Sequence, residues 1–173
     1  MFCDTKFWEA NPDGEAALKG FSKQFIHLNN LALEGHPEDL ILTTHVCRGN
    51  YHSTWASEGG YDPIAPYLFS EENVSAFYLE YDTDRSGGFE PLKYVNGEKQ
   101  VILGLITSKT PTLEKKADII ARIKEASKYI PLDRLALSPQ CGFASTEEGN
   151  ILTEEEQWDK LRLIKEISGE VWG

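Results

Sequence analysis

Four residues of this 173-residue chain carry donor atoms suited to a transition metal: His45, Cys47, Glu80 and Cys141. His45 and Cys47 stand two apart in Ile41-Leu42-Thr43-Thr44-His45-Val46-Cys47, which reads as a short strand, so their side chains leave one face. Glu80 closes a second strand-like run, Ala76-Phe77-Tyr78-Leu79-Glu80-Tyr81, and Cys141 follows another, Arg134 to Ser138. In a parallel α/β fold all strand ends of one kind point the same way, so residues distant in sequence converge there. One imidazole nitrogen, two thiolates and one carboxylate make a donor set suited to tetrahedral zinc. Zinc would lower a thiol's pKa so that the thiolate persists at neutral pH. A carboxylate ligand also yields to an incoming sulfur more readily than a fourth cysteine does. The same spacing equally fits two packing cysteines and an ordinary loop acid, because His-x-Cys is a short pattern.

Bringing such residues together requires strands that alternate with helices, and the remaining sequence has that form. After Asn11-Pro12-Asp13-Gly14, a helical stripe runs through Leu18, Phe21, Phe25, Leu28 and Leu31. A short helix is expected near Ala65 to Phe69, and Val101 to Thr107 is the most apolar strand. Pro111 is expected to open a helix with Leu113, Ala117, Ile120, Ile123 and Ile130 on its inner face. Thr153 and Glu156 form a capping box ahead of a helix carrying Trp158, Leu161, Ile164 and Ile167. Apolar strands separated by helices imply an α/β fold with a parallel sheet. Four such strands are half of an eight-stranded barrel, which takes about 250 residues. An open doubly wound sheet fits the periodicity equally well.

Composition narrows the functional classes. With 17 Lys and Arg against 28 Asp and Glu, the net charge is −11, which argues against nucleic acid as a partner. An apolar content of 40% argues against a disordered acidic chain. No apolar run approaches the roughly 20 residues that span a bilayer, so no membrane partner is expected. Met1-Phe2-Cys3-Asp4 lacks the basic flank and apolar stretch of a signal peptide. Three cysteines at distant positions do not form a secreted disulfide framework. One domain over residues 1–173, in the cytoplasm, is the expectation.

The stretches Thr44-His45-Val46-Cys47, Tyr78-Leu79-Glu80, Leu103-Gly104-Leu105-Ile106-Thr107 and Ser138-Pro139-Gln140-Cys141-Gly142 resemble, in order, the C-terminal half of the cobalamin-independent methionine synthase family. The resemblance covers nearly all of the chain, and its most specific element is the proline-x-cysteine-glycine after a strand. It implies a TIM (β/α)₈ barrel and a catalytic Zn2+ held by His45, Cys47, Glu80 and Cys141. It also implies methyl transfer from a methylated folate to the thiol of homocysteine. A related alkyltransferase acting on another small thiol, or a zinc-binding fragment without activity, would share these motifs.

The departures carry information too. Ser138 and Gln140 stand where the family has asparagine and aspartate, and Lys109 stands where it has a proton-donating histidine. That pattern is closer to the family's short, single-barrel relatives. The first four barrel strands, with the acidic residues that hold the amino acid, are expected to precede Met1. The missing barrel half, or a second copy docking on the open sheet, is therefore an expected partner. Among the remaining residues, His27 and His36 read as solvated, and His52 lies in a loop that could approach substrate. Trp55, Tyr61 and Tyr67 could line a pocket for a flat ring or pack a loop. Cys3 has no partner by spacing, and Gly87-Gly88 lacks the context of a dinucleotide site.

Overall fold

A computed structural model describes residues 3–10 and 12–173. Strands β1 (Thr43–Val46), β2 (Ala76–Glu80), β3 (Gln100–Ile106) and β4 (Leu135–Pro139) form one sheet in sequence order, every pair parallel. Helices α1 (Thr5–Glu9), α2 (Gly14–Leu33), α3 (Ala65–Glu71), α4 (Lys116–Ala126) and α5 (Glu154–Val171) accompany it. Short 3-10 turns at Asp84–Ser86 and Glu90–Tyr94 replace a helix between β2 and β3. No helix among the described residues is long and apolar enough to cross a membrane.

The period-2 alternation of the strands divides the sheet into two unlike faces. Phe77, Leu79, Val101, Leu103 and Leu135 point into a single core, to which all five helices contribute through residues such as Trp8, Leu18, Phe69, Ile123 and Ile167. The intervening row, His45, Tyr78, Ile102 and Ala136 in register, lies on the other face. Tyr78 there is 39% exposed. A doubly wound sheet would bury both faces under helices, so this arrangement is instead half of a (β/α)₈ barrel, with helices outside and a concave inner face.

Several sequence expectations shift. The stripe on α2 exists but faces solvent: Phe21, Phe25, Leu28 and Leu31 are exposed, while Leu18, Ser22 and Ile26, one turn apart, face the core. Pro111 does not open α4. Glu114 accepts a bond from the Thr107 amide and pairs with buried Lys160 at 3.0 Å, which holds residues 107–115 as a loop. The helix begins at Lys116, and its inner face is Ile119, Ile123 and Ala126, leaving Leu113 and Ala117 exposed. The apolar β3 is no sheet edge, because it pairs on both sides; the edges are β1, with polar Thr43-Thr44-His45, and β4. The capping box on α5 is present, the Thr153 side chain accepting from the Glu156 amide.

Gly104 ties this sheet to the strand ends. It pairs with Glu80 on one side and Ser138 on the other, at a register shift in the β3–β4 ladder. A Cβ at this position would lie 2.7 Å from the Leu79 carbonyl oxygen and 2.7 Å from Gln140 Cα. Both neighbours are backbone and cannot swing away. Gly104→Ala is expected to destabilise the chain by about 1–3 kcal/mol, as overpacking does; an unchanged urea midpoint would show that the ladder relaxes freely.

Candidate metal centre

His45 leaves β1, Cys47 follows it, Glu80 ends β2 and Cys141 lies two residues past the end of β4. All four therefore occupy the C-terminal rim of the sheet, and their donor atoms lie within 4.8 Å of one another. Cys141 Sγ is 3.6 Å from His45 Nε2, and His45 Nε2 is 3.9 Å from Glu80 Oε1. A tetrahedral zinc shell with bonds of about 2.0–2.3 Å has edges of about 3.3–3.8 Å. The set fits such an ion with a contraction of about an ångström at its widest pair. Among the described residues, no other group of three or more His, Cys, Asp or Glu side chains converges in this way.

The local backbone explains how each donor is presented. Glu80 is completely buried, its Oε1 accepting the Arg48 amide at 2.9 Å and its Oε2 facing Arg85 at 3.3 Å. Arg85 is fixed in turn by Asp82 at 2.6 Å. Tyr61 staples the strand end: its hydroxyl donates to the Glu80 carbonyl and accepts from the Glu80 amide. Tyr61 is thus a core residue rather than a ring-pocket residue, with the Arg48 guanidinium 4.4 Å from its ring centroid. On the exposed side, the Gly49 amide donates to Cys47 Sγ at 3.4 Å. His45 and Cys141 border a groove of about 370 Å³ along the concave face, shared with Tyr78 and Ser138.

Charge at the centre is unevenly distributed. Burial pushes the Glu80 carboxyl up, against the pull of the Arg48 amide and Arg85. Hydrogen bonds from Cys47, His45 and Ser145 hold the Cys141 thiol well below the usual thiol range. The same proton raises Cys47, and the bond to Cys141 raises His45. The shared hydrogen bond thus favours the thiolate on Cys141 and the proton on Cys47.

Lys109 lies three residues beyond β3 and is buried, which lowers its pKa. Its ammonium donates to the carbonyls of Gly49 and Thr54, each at 3.0 Å, and to Asn50 Oδ1 at 2.8 Å. All three protons are engaged. The remaining candidates lie apart from the cluster in role. His27 and His36 are exposed on and after α2, Tyr67 packs near Lys23, and Cys3 is buried in the core. His52 and Ser53 adopt left-handed backbone in the loop after Cys47, and Trp55 stacks 5.0 Å from the Arg85 guanidinium. Asn50, Arg48, Arg85 and Ser145, which the sequence reading passed over, make the contacts that hold the donors.

The proton distribution has a kinetic signature. In metal-free protein, alkylation of Cys141 should change little between about pH 8 and pH 6, because its thiolate persists throughout. An ordinary thiol slows about tenfold per unit over that range. Peptide mapping after iodoacetamide pulses distinguishes the two, and a tenfold-per-unit decline at Cys141 would refute the assignment.

Residues 64–167 match the family model described as cobalamin-independent synthase, catalytic domain. The chain is 57% identical over 144 residues to the uncharacterized protein YxjG of Bacillus subtilis, covering 83% of this chain and 38% of that protein. It is 25% identical over 142 residues to methionine synthase of Pyrococcus abyssi, covering 73% of this chain and 38% of that one. The crystal structure of a putative vitamin-B12 independent methionine synthase from Listeria monocytogenes matches with a TM-score of 0.68 at 42% identity. That match covers 88% of this chain and 41% of the other. This chain spans about two fifths of the length of these relatives. With the matched segment running from the start of α3 into α5, through β2, β3 and β4, the chain belongs to the cobalamin-independent synthase family, within its catalytic domain.

Proposed function

We propose that this chain is the metal-holding half of a zinc-dependent methyltransferase barrel, with His45, Cys47, Glu80 and Cys141 as the ligands. The observation that carries the reading is the convergence of four donors from three parallel strand ends within 4.8 Å. The chemistry an ion supplies there is positive charge, which keeps an acceptor thiol ionised at neutral pH. The acceptor thiol enters along the groove beside His45 and Tyr78, and its sulfur attacks the methyl carbon. The sulfur–carbon bond forms as the donor's carbon–nitrogen bond breaks, so the leaving nitrogen must receive a proton. Family membership favours homocysteine as acceptor, a methylated folate as donor and methionine as product. Two adjacent free thiols suit a reducing cytoplasm.

Lys109 occupies the place of the proton donor but would have to surrender one of three hydrogen bonds to act as one. The arrangement favours an anchoring cation. A different small thiol as acceptor is the second reading, favoured by 57% identity to the uncharacterized YxjG against 25% to the named synthase.

Two experiments test these statements. Elemental analysis should find about one zinc per chain in the purified protein and a small fraction of that in Cys141→Ala. Stoichiometric metal in a Cys47→Ala, Cys141→Ala double variant would overturn the ligand assignment. The second concerns the open sheet, whose β1 and β4 edges and concave face would be covered by the rest of a barrel or by a second copy. The chain alone is expected to dimerise or aggregate in sedimentation, without measurable methyl transfer. A sharp monomer at micromolar concentration that methylates homocysteine would refute this dependence.

A further inference from the structure

We propose that Asn50 is a positioning residue that clamps the loop after Cys47 to the loop containing Cys141, with Lys109 as its anchor; this rests on the metal-site reading above. A carboxamide has two N–H donors and two acceptor sites, and Asn50 uses all four. Its nitrogen donates to the Gly142 carbonyl at 2.7 Å and to Ser145 Oγ at 2.6 Å. Its oxygen accepts from Lys109 Nζ at 2.8 Å and from Asn150 Nδ2 at 3.1 Å. The side chain is only 7% exposed, so each of these bonds replaces one that water would otherwise make.

The clamp joins the two loops that carry the thiols. On one side, Gly49 separates Asn50 from the Cys47 loop with φ of +97°, and a Cβ there would meet the Ala56 nitrogen at 2.6 Å. The backbone from Cys47 to Asn50 is therefore tightly bent and has little room to move. On the other side, Gly142 follows Cys141 directly, and Ser145 Oγ lies 3.6 Å from Cys141 Sγ. Lys109 adds the third strand end, bonding Gly49 and Thr54 on either side of the clamp. Residues 140–150 contain no helix or strand, so side-chain bonds must supply the order that regular structure does not. If the clamp is lost, metal binding must itself order the Cys141 loop, and affinity falls by that cost.

The test uses the full chain with Asn50→Asp, Asn50→Ala and Asn150→Ala. Asn50→Asp retains an acceptor for Lys109 and loses both donors to the Cys141 loop. Asn50→Ala loses the same donors without added charge and also the acceptor for Lys109. Asn150→Ala removes bonds to Asn50 Oδ1, Ser108 and the Ser53 amide, and leaves the two Asn50 bonds to Gly142 and Ser145 intact. Zinc affinity, read by competition with a chromophoric chelator, should fall about 10–100-fold in both Asn50 variants. The thiolate-to-cobalt charge-transfer band of the Co2+ form should weaken in the same two. Asn150→Ala should change affinity less than about threefold even where its unfolding midpoint drops. Unchanged zinc affinity in Asn50→Asp, or equal losses in all three variants, would overturn the clamp. Should wild-type chain bind neither ion, the metal reading fails by itself, and the clamp is judged on metal-free protein. Amide exchange across residues 142–150 should then accelerate about tenfold or more in Asn50→Asp, and unchanged exchange would refute it.

Discussion

A carboxylate with no solvent exposure sits at the end of β2, and most of the rim is arranged around that burial. An ionised carboxyl out of water is costly unless hydrogen bonds or opposite charge compensate it. Glu80 receives the Arg48 amide on one oxygen and Arg85 on the other, with His45 facing the first. These partners fix more than the charge. The Arg48 amide belongs to the residue after Cys47, so the bond that stabilises Glu80 also brings the Cys47 backbone to the end of β2. Asp82 and Trp55 hold Arg85 from two sides, and Tyr61 pins the Glu80 backbone. Burial of one acid thus sets the position of three of the four donors, and the fourth arrives through the β4 loop.

This division explains what the sequence makes legible. Cysteine and histidine are sparse in this chain, and strand ends are marked by apolar runs, so a donor set in sequence order stands out. The parallel sheet with helical crossovers follows from the same runs, whereas the choice of a half-barrel over an open doubly wound sheet comes from the family resemblance. What stays hidden is whatever depends on partners far away in the chain. Asn50 is one polar residue among many, and the bonds that define it reach Lys109, Gly142, Ser145 and Asn150. Pro111 resembles a helix start until the Glu114–Lys160 pair is seen to hold that segment as a loop. Local signals were correct where the constraint was local, as at the Thr153–Glu156 capping box.

The apolar stripe of α2 shows a periodicity that is right and a direction that spacing alone does not report. Leu18, Ser22 and Ile26 serve the core, and Phe21, Phe25 and Leu28 look outward. Hydrophobic spacing reports that a helix has an apolar face and says nothing of what lies across from it. Phe25 and Ser22 share a cleft of about 270 Å³ with His45 and Cys47, so the stripe borders the β1 edge. That edge is where a further parallel strand of a barrel would pair, and a helix preceding β1 would then be flanked on both sides.

The openness also bears on how chemistry is divided within the fold. The four donors of the candidate centre lie at the rim of this arc of four strands, and the described contacts that orient them come from its strand ends and loops. Metal binding can therefore be a property of one half of a barrel, assembled by parallel register and a buried acid. Methyl transfer needs more, because two substrates must be held in line and the leaving nitrogen protonated. A groove lined on one side only leaves both substrates in contact with water, where orientation is lost and charge is screened. The opposite wall has to supply that enclosure. On the proposed reading, one half of such a barrel would make the sulfur reactive and the opposite wall would decide what it meets.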